Sequence, residues 1–170
     1  GANFIAPHVR TLQNLASHCS SITEFGTGFG ASTLVFLSTV PEKLTSYDID
    51  HSNIDQELFH RISGQTQLEF IQADTAGVSI RNTDLLFIDS RHTYKHVQYE
   101  LNNSDMVNRY LVFHDTLAYG DRGEFNERGI WWAIREWWLE NYHSWDLLEK
   151  SQEGCGLTVF RKMQNIKWFI

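Results

Sequence analysis

Cysteine and proline are nearly absent from this chain of 170 residues, with two of each. Cys19 and Cys155 form neither a CxxC nor a wider framework, which argues against a disulfide scaffold or a cysteine-based zinc site and favours a reducing compartment. Pro7 and Pro41 stand alone, and no Gly/Ser-rich stretch or internal repeat offers a linker at which to divide the chain. No apolar run approaches the roughly 18 residues of a membrane span. Gly1-Ala2-Asn3-Phe4 has no basic segment leading into an apolar one, so no signal peptide, no membrane partner and a cytoplasmic location are the expectations. Positive charge is scarce too: 14 Lys and Arg stand against 21 Asp and Glu, a formal net charge of −7. Nucleic acids and anionic membranes both demand a basic field, so neither is favoured as a partner.

What is plentiful is apolar and aromatic. Hydrophobic residues make up 42% of the chain and aromatic ones 14%, too much for disorder and enough for one domain, 1–170, with a core of its own. Short apolar runs read as strands at Ser21–Phe25, Leu44–Ile49, Gln67–Ala73, Asp84–Asp89, Tyr110–Asp115, Ser144–Leu148 and Leu157–Lys162. Helical spacing follows Pro7 (Val9, Leu12, Leu15, Ala16) and recurs over 31–38, 54–62, 93–107 and 129–142. The run Asp-Leu-Leu-Phe-Ile-Asp at 84–89 is what a central parallel strand, covered on both faces, requires. Strands alternating with helices predict an α/β fold of right-handed units, an open and mostly parallel Rossmann-like sheet with helices on both faces.

In such sheets ligands bind beyond the carboxyl ends of the strands. Glu24, Asp48, Asp74, Asp89, His92, His114 and Asp115 all fall at or near such ends. Between the first strand and the next helix, Gly26, Gly28 and Gly30 permit a sharp turn and close approach of a ligand to backbone N–H groups. Asp48, ending the second strand, is placed to accept from ribose hydroxyls. Together these predict a nucleoside-containing cofactor. Gly26-x-Gly28-x-x-Ala31 also satisfies a dinucleotide fingerprint, so an NAD-binding protein is an alternative.

Glu24-Phe25-Gly26-Thr27-Gly28-Phe29-Gly30 resembles the first motif of class I S-adenosylmethionine-dependent methyltransferases, Tyr47-Asp48-Ile49-Asp50 their second, and Phe70-Ile71-Gln72-Ala73-Asp74 their third. The resemblance covers about residues 21–162 and implies seven strands with a late antiparallel pair. It also implies a cofactor half near 20–75, an acceptor half near 84–162, and S-adenosylmethionine as cofactor. The cofactor contacts it implies are Glu24, Gly26, Thr27, Gly28, Gly30, Ser32, Asp48, Ile49, Asp74, Thr75 and Asp89. Glu24 would receive the methionine ammonium, Asp48 the ribose and Asp74 the adenine. An acid beside the first glycine suits a cationic amino-acid portion better than a pyrophosphate, which sets NAD second.

A second constellation lies at strands four and five. If these are neighbours, Asp89 and Asp115 converge, and two carboxylates suit Mg²⁺ or another divalent cation, which can lower the pKa of a bound hydroxyl. His92 can then serve as general base. The segment Ile88-Asp89-Ser-Arg-His92-Thr-Tyr94-Lys-His-Val97 resembles small-molecule O-methyltransferases, among them macrolide-sugar methyltransferases and cephalosporin-hydroxylase-like proteins. The resemblance makes Asp89 a ligand and His92 the base. His114-Asp115 departs from the Glu-Asp or Asp-Asn pair of the metal-dependent members, so His114 is a substitute ligand at most, because Mg²⁺ prefers oxygen. The other histidines (His8, His18, His51, His60, His96 and His143) form no constellation and read as surface residues.

The segment 117–128 reads as a loop over the acceptor, with Tyr119, Asp121, Arg122, Glu124 and Arg128 as substrate contacts. In the helix after it, Ile130, Ile134, Trp137 and Trp138 can share the core face. Trp131 or Trp132 remains for a homo-oligomer interface or an acceptor wall, and Trp168-Phe169 suggests another association patch. The predicted activity is methyl transfer to a hydroxyl of a small molecule or sugar. A non-catalytic cofactor-binding subunit is the other alternative, prompted by the short chain and by His114.

Overall fold

A computed structural model of the protein describes residues 5–164, so the Trp168-Phe169 patch lies outside the described residues. Strands β1 (Ser21–Phe25), β2 (Lys43–Asp48), β3 (Gln67–Gln72), β4 (Thr83–Ile88) and β5 (Val107–His114) run parallel. Strands β6 (Trp145–Ser151) and β7 (Leu157–Lys162) form an antiparallel pair, with β7 inserted between β5 and β6. The resulting order is β3-β2-β1-β4-β5-β7-β6. The sheet therefore grows outward in both directions from the β1–β4 seam, and the crevice at the carboxyl ends of those two strands is where the fold leaves room for a ligand.

Alternation along each strand builds two cores. In β4, Leu85 and Phe87 face one side and pack with Leu12 and Leu15 of α1 (Val9–Ala16), Val35 and Phe36 of α2 (Ala31–Leu37) and Phe59 of α3 (Gln56–Ile62). Leu86 and Ile88 face the other side, against Val97 and Leu101 of α4 (Tyr94–Leu101) and Ile130, Ala133 and Ile134 of α5 (Ile130–Asn141). All four β4 side chains are at most 3% exposed, as a strand covered on both faces must be.

Local chemistry sets where elements stop. The helix expected over 93–107 ends at Leu101, and a 3₁₀ turn over Ser104–Met106 leads into β5 at Val107. Asn103 accounts for the break, since its side chain accepts from Ile80 N and donates to Val78 O, drawing the chain towards the segment before β4. Helix α3 begins only at Gln56 because the Asp55 carboxylate caps it, accepting from Leu58 N at 2.9 Å. In α5, Trp137 and Trp138 pack beside Phe160, and each indole N–H finds an oxygen, of Ser104 and Trp145 respectively. Trp131 lies under the Lys150 ammonium, and Trp132 is 36% exposed.

Candidate active site

The turn after β1 works only with glycine at Gly26. Its φ is +93°, and a Cβ there would lie 2.0 Å from the backbone oxygen of Asp89, at the end of the neighbouring strand. Gly30 opens α2 at φ +78°, with the Phe59 ring filling the space a side chain would need. Gly28 N donates to Asp48 Oδ2 at 2.9 Å, tying the turn to the end of β2.

Beneath the turn lies a sealed polar network. Glu24 sits inside β1, one residue short of its end, and is fully buried. Its carboxyl accepts from Ser32 Oγ at 2.5 Å, Thr33 Oγ1 at 2.7 Å and Ser46 Oγ at 2.5 Å. Burial raises its pKa, the three hydroxyls oppose that, and the outcome is about 7. Thr27 Oγ1 joins the network through Ser46 Oγ at 2.6 Å and His51 Nε2 at 3.1 Å. Glu24, Thr27 and Ser32 thus lie below the glycine turn and engage one another's neighbours.

Above the turn an open cleft of about 360 Å³ runs along the carboxyl edge of the sheet. Gly26, Gly28, Asp48, Ile49, Asp74, Thr75 and Asp89 line it, joined by Ser90, Arg91, His96 and Glu124. Asp48 Oδ1 also accepts from Asp50 N, and Asp74 Oδ1 caps the short turn at Thr75 by accepting from Ala76 N.

Beside Asp89 and Glu124 of the cleft, acids and imidazoles converge. His92 Nε2 lies 3.0 Å from Asp115 Oδ2 and 3.4 Å from Asp89 Oδ1, while Nδ1 lies 3.1 Å from Glu124 Oε1. The Tyr119 ring stacks on His92 at 4.4 Å. Burial alone would lower the His92 pKa, but hydrogen bonds to Asp115 and Asp89 outweigh it and hold the ring at about 10. Burial would raise Asp89, yet bonds from His114 and His92 bring it to about 2. His114, 2% exposed, places Nδ1 3.2 Å from both Asp89 Oδ1 and Asp115 Oδ1. Asp115 sits at φ +58°, a left-handed conformation that Asp and Asn adopt more readily than other residues with a side chain.

The donor set fits a divalent cation. Asp89, His92 and Asp115 each present a ligand atom, all within 4.8 Å of one another, and Asp115 Oδ1 is buried beside His114 Nδ1 at 3.2 Å. A cation held by the two carboxylates alone, an oxygen set suited to Mg²⁺ or Mn²⁺, leaves His92 Nε2 free to act as a base. His92 Nε2 and His114 Nδ1 both lie within 3.4 Å of the two acids, and His114 is the more deeply buried of the two rings.

Several expectations change at this point. The loop 117–128 is strapped down: Glu124 N donates to His92 O, Gly129 N to Asp121 O, and Arg128 O accepts from Tyr94 N. Tyr119 and Glu124 face the cluster. Arg122 instead donates to Asn126 within the loop, and Arg128 stacks over Tyr94 and pairs with Glu136 at 2.6 Å, both away from the cleft. The surface assignment fails for His8 and His51, which are 1% and 7% exposed. His8 packs edge-on to His114, and burial, then the nearby His114, lowers its pKa. His96 also turns inward and lines the cleft, whereas His18, His60 and His143 are exposed. Ser90 and His96 are cleft residues that sequence reasoning missed. Ser90 follows Asp89 directly, and the His96–Glu100 spacing on one helix was the available signal.

The profile of a methyltransferase domain matches residues 23–116, from β1 to just beyond Asp115. The chain belongs to the methyltransferase-domain family. It is a class I S-adenosylmethionine-dependent methyltransferase, and several solved structures share its fold. N-methyltransferase NodS from Bradyrhizobium japonicum WM9 aligns with a TM-score of 0.68 at 16% identity, covering 95% of this chain and 97% of that one. The O-methyltransferase TomG from Streptomyces achromogenes, solved with S-adenosylmethionine, gives 0.67 at 15% identity over 94% and 81%. An O-methyltransferase from Bacillus cereus, solved with S-adenosylhomocysteine, gives 0.68 at 13% identity over 92% and 81%. No curated protein sequence matches the methyltransferase. Among its described residues, no helix is long and apolar enough to cross a membrane.

Proposed function

We propose that the methyltransferase transfers the methyl group of S-adenosylmethionine to a hydroxyl of a small molecule or sugar. The observation that carries this reading is that Asp89 and Glu124, which line the cleft, both bear on His92, with Asp115 on the same ring. A cofactor with its adenine at Asp74 and Thr75 and its ribose at Asp48 directs its methyl group towards that cluster. Gly26 and Gly28 let the amino-acid portion pass close to the backbone. Glu24, sealed below, holds the turn through Ser32 and Thr33.

Methyl transfer from a sulfonium needs mostly alignment, but a hydroxyl must also shed its proton, whereas an amine can attack with its own lone pair. The carboxylates serve the hydroxyl. A divalent cation held by Asp89 and Asp115 would polarise the acceptor oxygen and occupy the two anions that otherwise keep His92 protonated. His92, oriented by Glu124 at Nδ1, then takes the acceptor's proton. Tyr119, stacked on His92, limits how that ring can turn.

Calorimetric titration with S-adenosylhomocysteine and with NAD tests the cofactor, and transfer to a panel of hydroxylated metabolites and sugars, before and after chelation, tests the rest. Binding of S-adenosylhomocysteine alone and a hydroxyl acceptor whose turnover falls on chelation are the expected results. Binding of NAD alone would overturn the reading. Turnover indifferent to chelation and retained in His92→Ala would remove the proposed roles of cation and base.

A further inference from the structure

Behind the part of the cleft lined by Thr75, Ser90 and His96 stands a buried carboxyl group that the transfer itself does not use. Glu100, on α4, is fully buried. Its Oε1 accepts from Thr75 Oγ1 and from Ser90 Oγ, each at 2.5 Å. His96, one turn earlier on α4, sets Nε2 2.8 Å from Thr75 Oγ1 and 3.3 Å from the same Glu100 oxygen. Oε2 of Glu100 is buried with no hydrogen-bond partner. Thr75, Ser90 and His96 line the cleft, and Glu100 stands behind them.

Counting protons decides what this wall can offer a ligand. A hydroxyl has a single proton, and Thr75 and Ser90 both give theirs to Glu100, so each turns only lone pairs to the cleft. Having donated, Thr75 can only accept from His96. The proton of the neutral ring therefore sits on Nε2, which leaves Nδ1 an acceptor. The two hydroxyls can accept hydrogen bonds from the cleft and give none.

We infer that Thr75 and Ser90 read the 6-amino group of the cofactor's adenine, and that Glu100 is the positioning residue that makes both hydroxyls acceptors. The inference rests on the cofactor orientation proposed above. A base with a 6-oxo group would set its carbonyl lone pairs against those of the wall and leave both unpaired in a confined site.

S-inosylhomocysteine, which carries that 6-oxo group, is the probe, compared with S-adenosylhomocysteine by calorimetry on the full chain. The wild type should bind S-adenosylhomocysteine at least about tenfold more tightly, the size expected for an unpaired polar contact. Glu100→Met removes the accepting oxygen while keeping most of the side-chain volume, so both hydroxyl protons can turn to the cleft, and it should shrink the ratio towards one. Ser90→Ala, at the cleft surface, should also shrink it and does not depend on tolerance of a change at a buried acid. Equal binding of the two ligands by the wild type overturns the inference, and so does an unchanged ratio in both folded variants. Failure of both ligands to bind would overturn the cofactor reading itself, a result distinct from either.

Discussion

Glu24→Gln removes the carboxyl group at the centre of the network under the glycine turn while keeping its shape. The folded protein holds the Glu24 pKa at about 7, against an ordinary 4.5, with burial as the leading cause. Because the folded value lies above the unfolded one, the contribution of Glu24 to stability is fully present below pH 4.5 and is lost as pH rises through 7. At about 1.4 kcal/mol per pH unit, the interval amounts to about 3 kcal/mol, an order-of-magnitude figure that applies in full only because the group is sealed from solvent. Urea unfolding followed by tryptophan fluorescence, at steps from pH 4.5 to 8, measures it as the stability of the wild type minus that of the variant. That difference should fall by about 3 kcal/mol across the window, whatever the other carboxylates contribute to both proteins. A difference that stays level from pH 4.5 to 8 would refute the reasoning, because Glu24 would then be ionised throughout, as a carboxylate facing a cationic ligand or water would be.

Two further substitutions separate the halves of the site. Gly26→Ala drives a methyl group against the Asp89 backbone and demands φ +93° of a residue with a side chain, so stability should fall by about 3 kcal/mol, and S-adenosylhomocysteine binding with it. Thermal unfolding with and without ligand measures both. Asp115→Asn keeps the size of the side chain and tolerates the left-handed backbone, so S-adenosylhomocysteine affinity should stay within about twofold while kcat falls by about a hundredfold, the scale of a lost general-base system. Calorimetry and turnover, read side by side, make that split visible.

Asp89 and Asp115 were legible because a parallel strand buried on both faces is apolar to its end and the first acid after it marks the sheet's edge, whereas Asp48 and Asp74 follow the more polar strands β2 and β3 and were legible from the motifs that contain them. Glu24 obeys a different rule. It lies within β1, where alternation turns it under the glycine turn towards Ser32 and Thr33 of α2, and only the packing of that helix decides that its carboxyl is sealed. His8 and His51 show the same limit, since a lone histidine carries no periodic mark of burial and each is enclosed by side chains distant in sequence, His114 and Phe70. The convergence of strands four and five followed from their expected adjacency. The position of His92 between both acids, with Glu124 on its far nitrogen, depends on how the loop 117–128 is strapped to the backbone of His92 and Tyr94. The Glu100 network draws on β3, β4 and α4 at once, and of its four members only the His96–Glu100 pair is adjacent along one helix.

The central claim is an orientation: adenine at Thr75 and Ser90, ribose at Asp48, and sulfur towards Asp89, His92 and Asp115. A crystal structure of the protein with S-adenosylhomocysteine measures it directly. The account predicts the ribose hydroxyls within hydrogen-bond distance of Asp48 and the sulfur on the Asp89 side of the cleft. A ligand lying the other way round, with its adenine against Asp89 and His92, would contradict it.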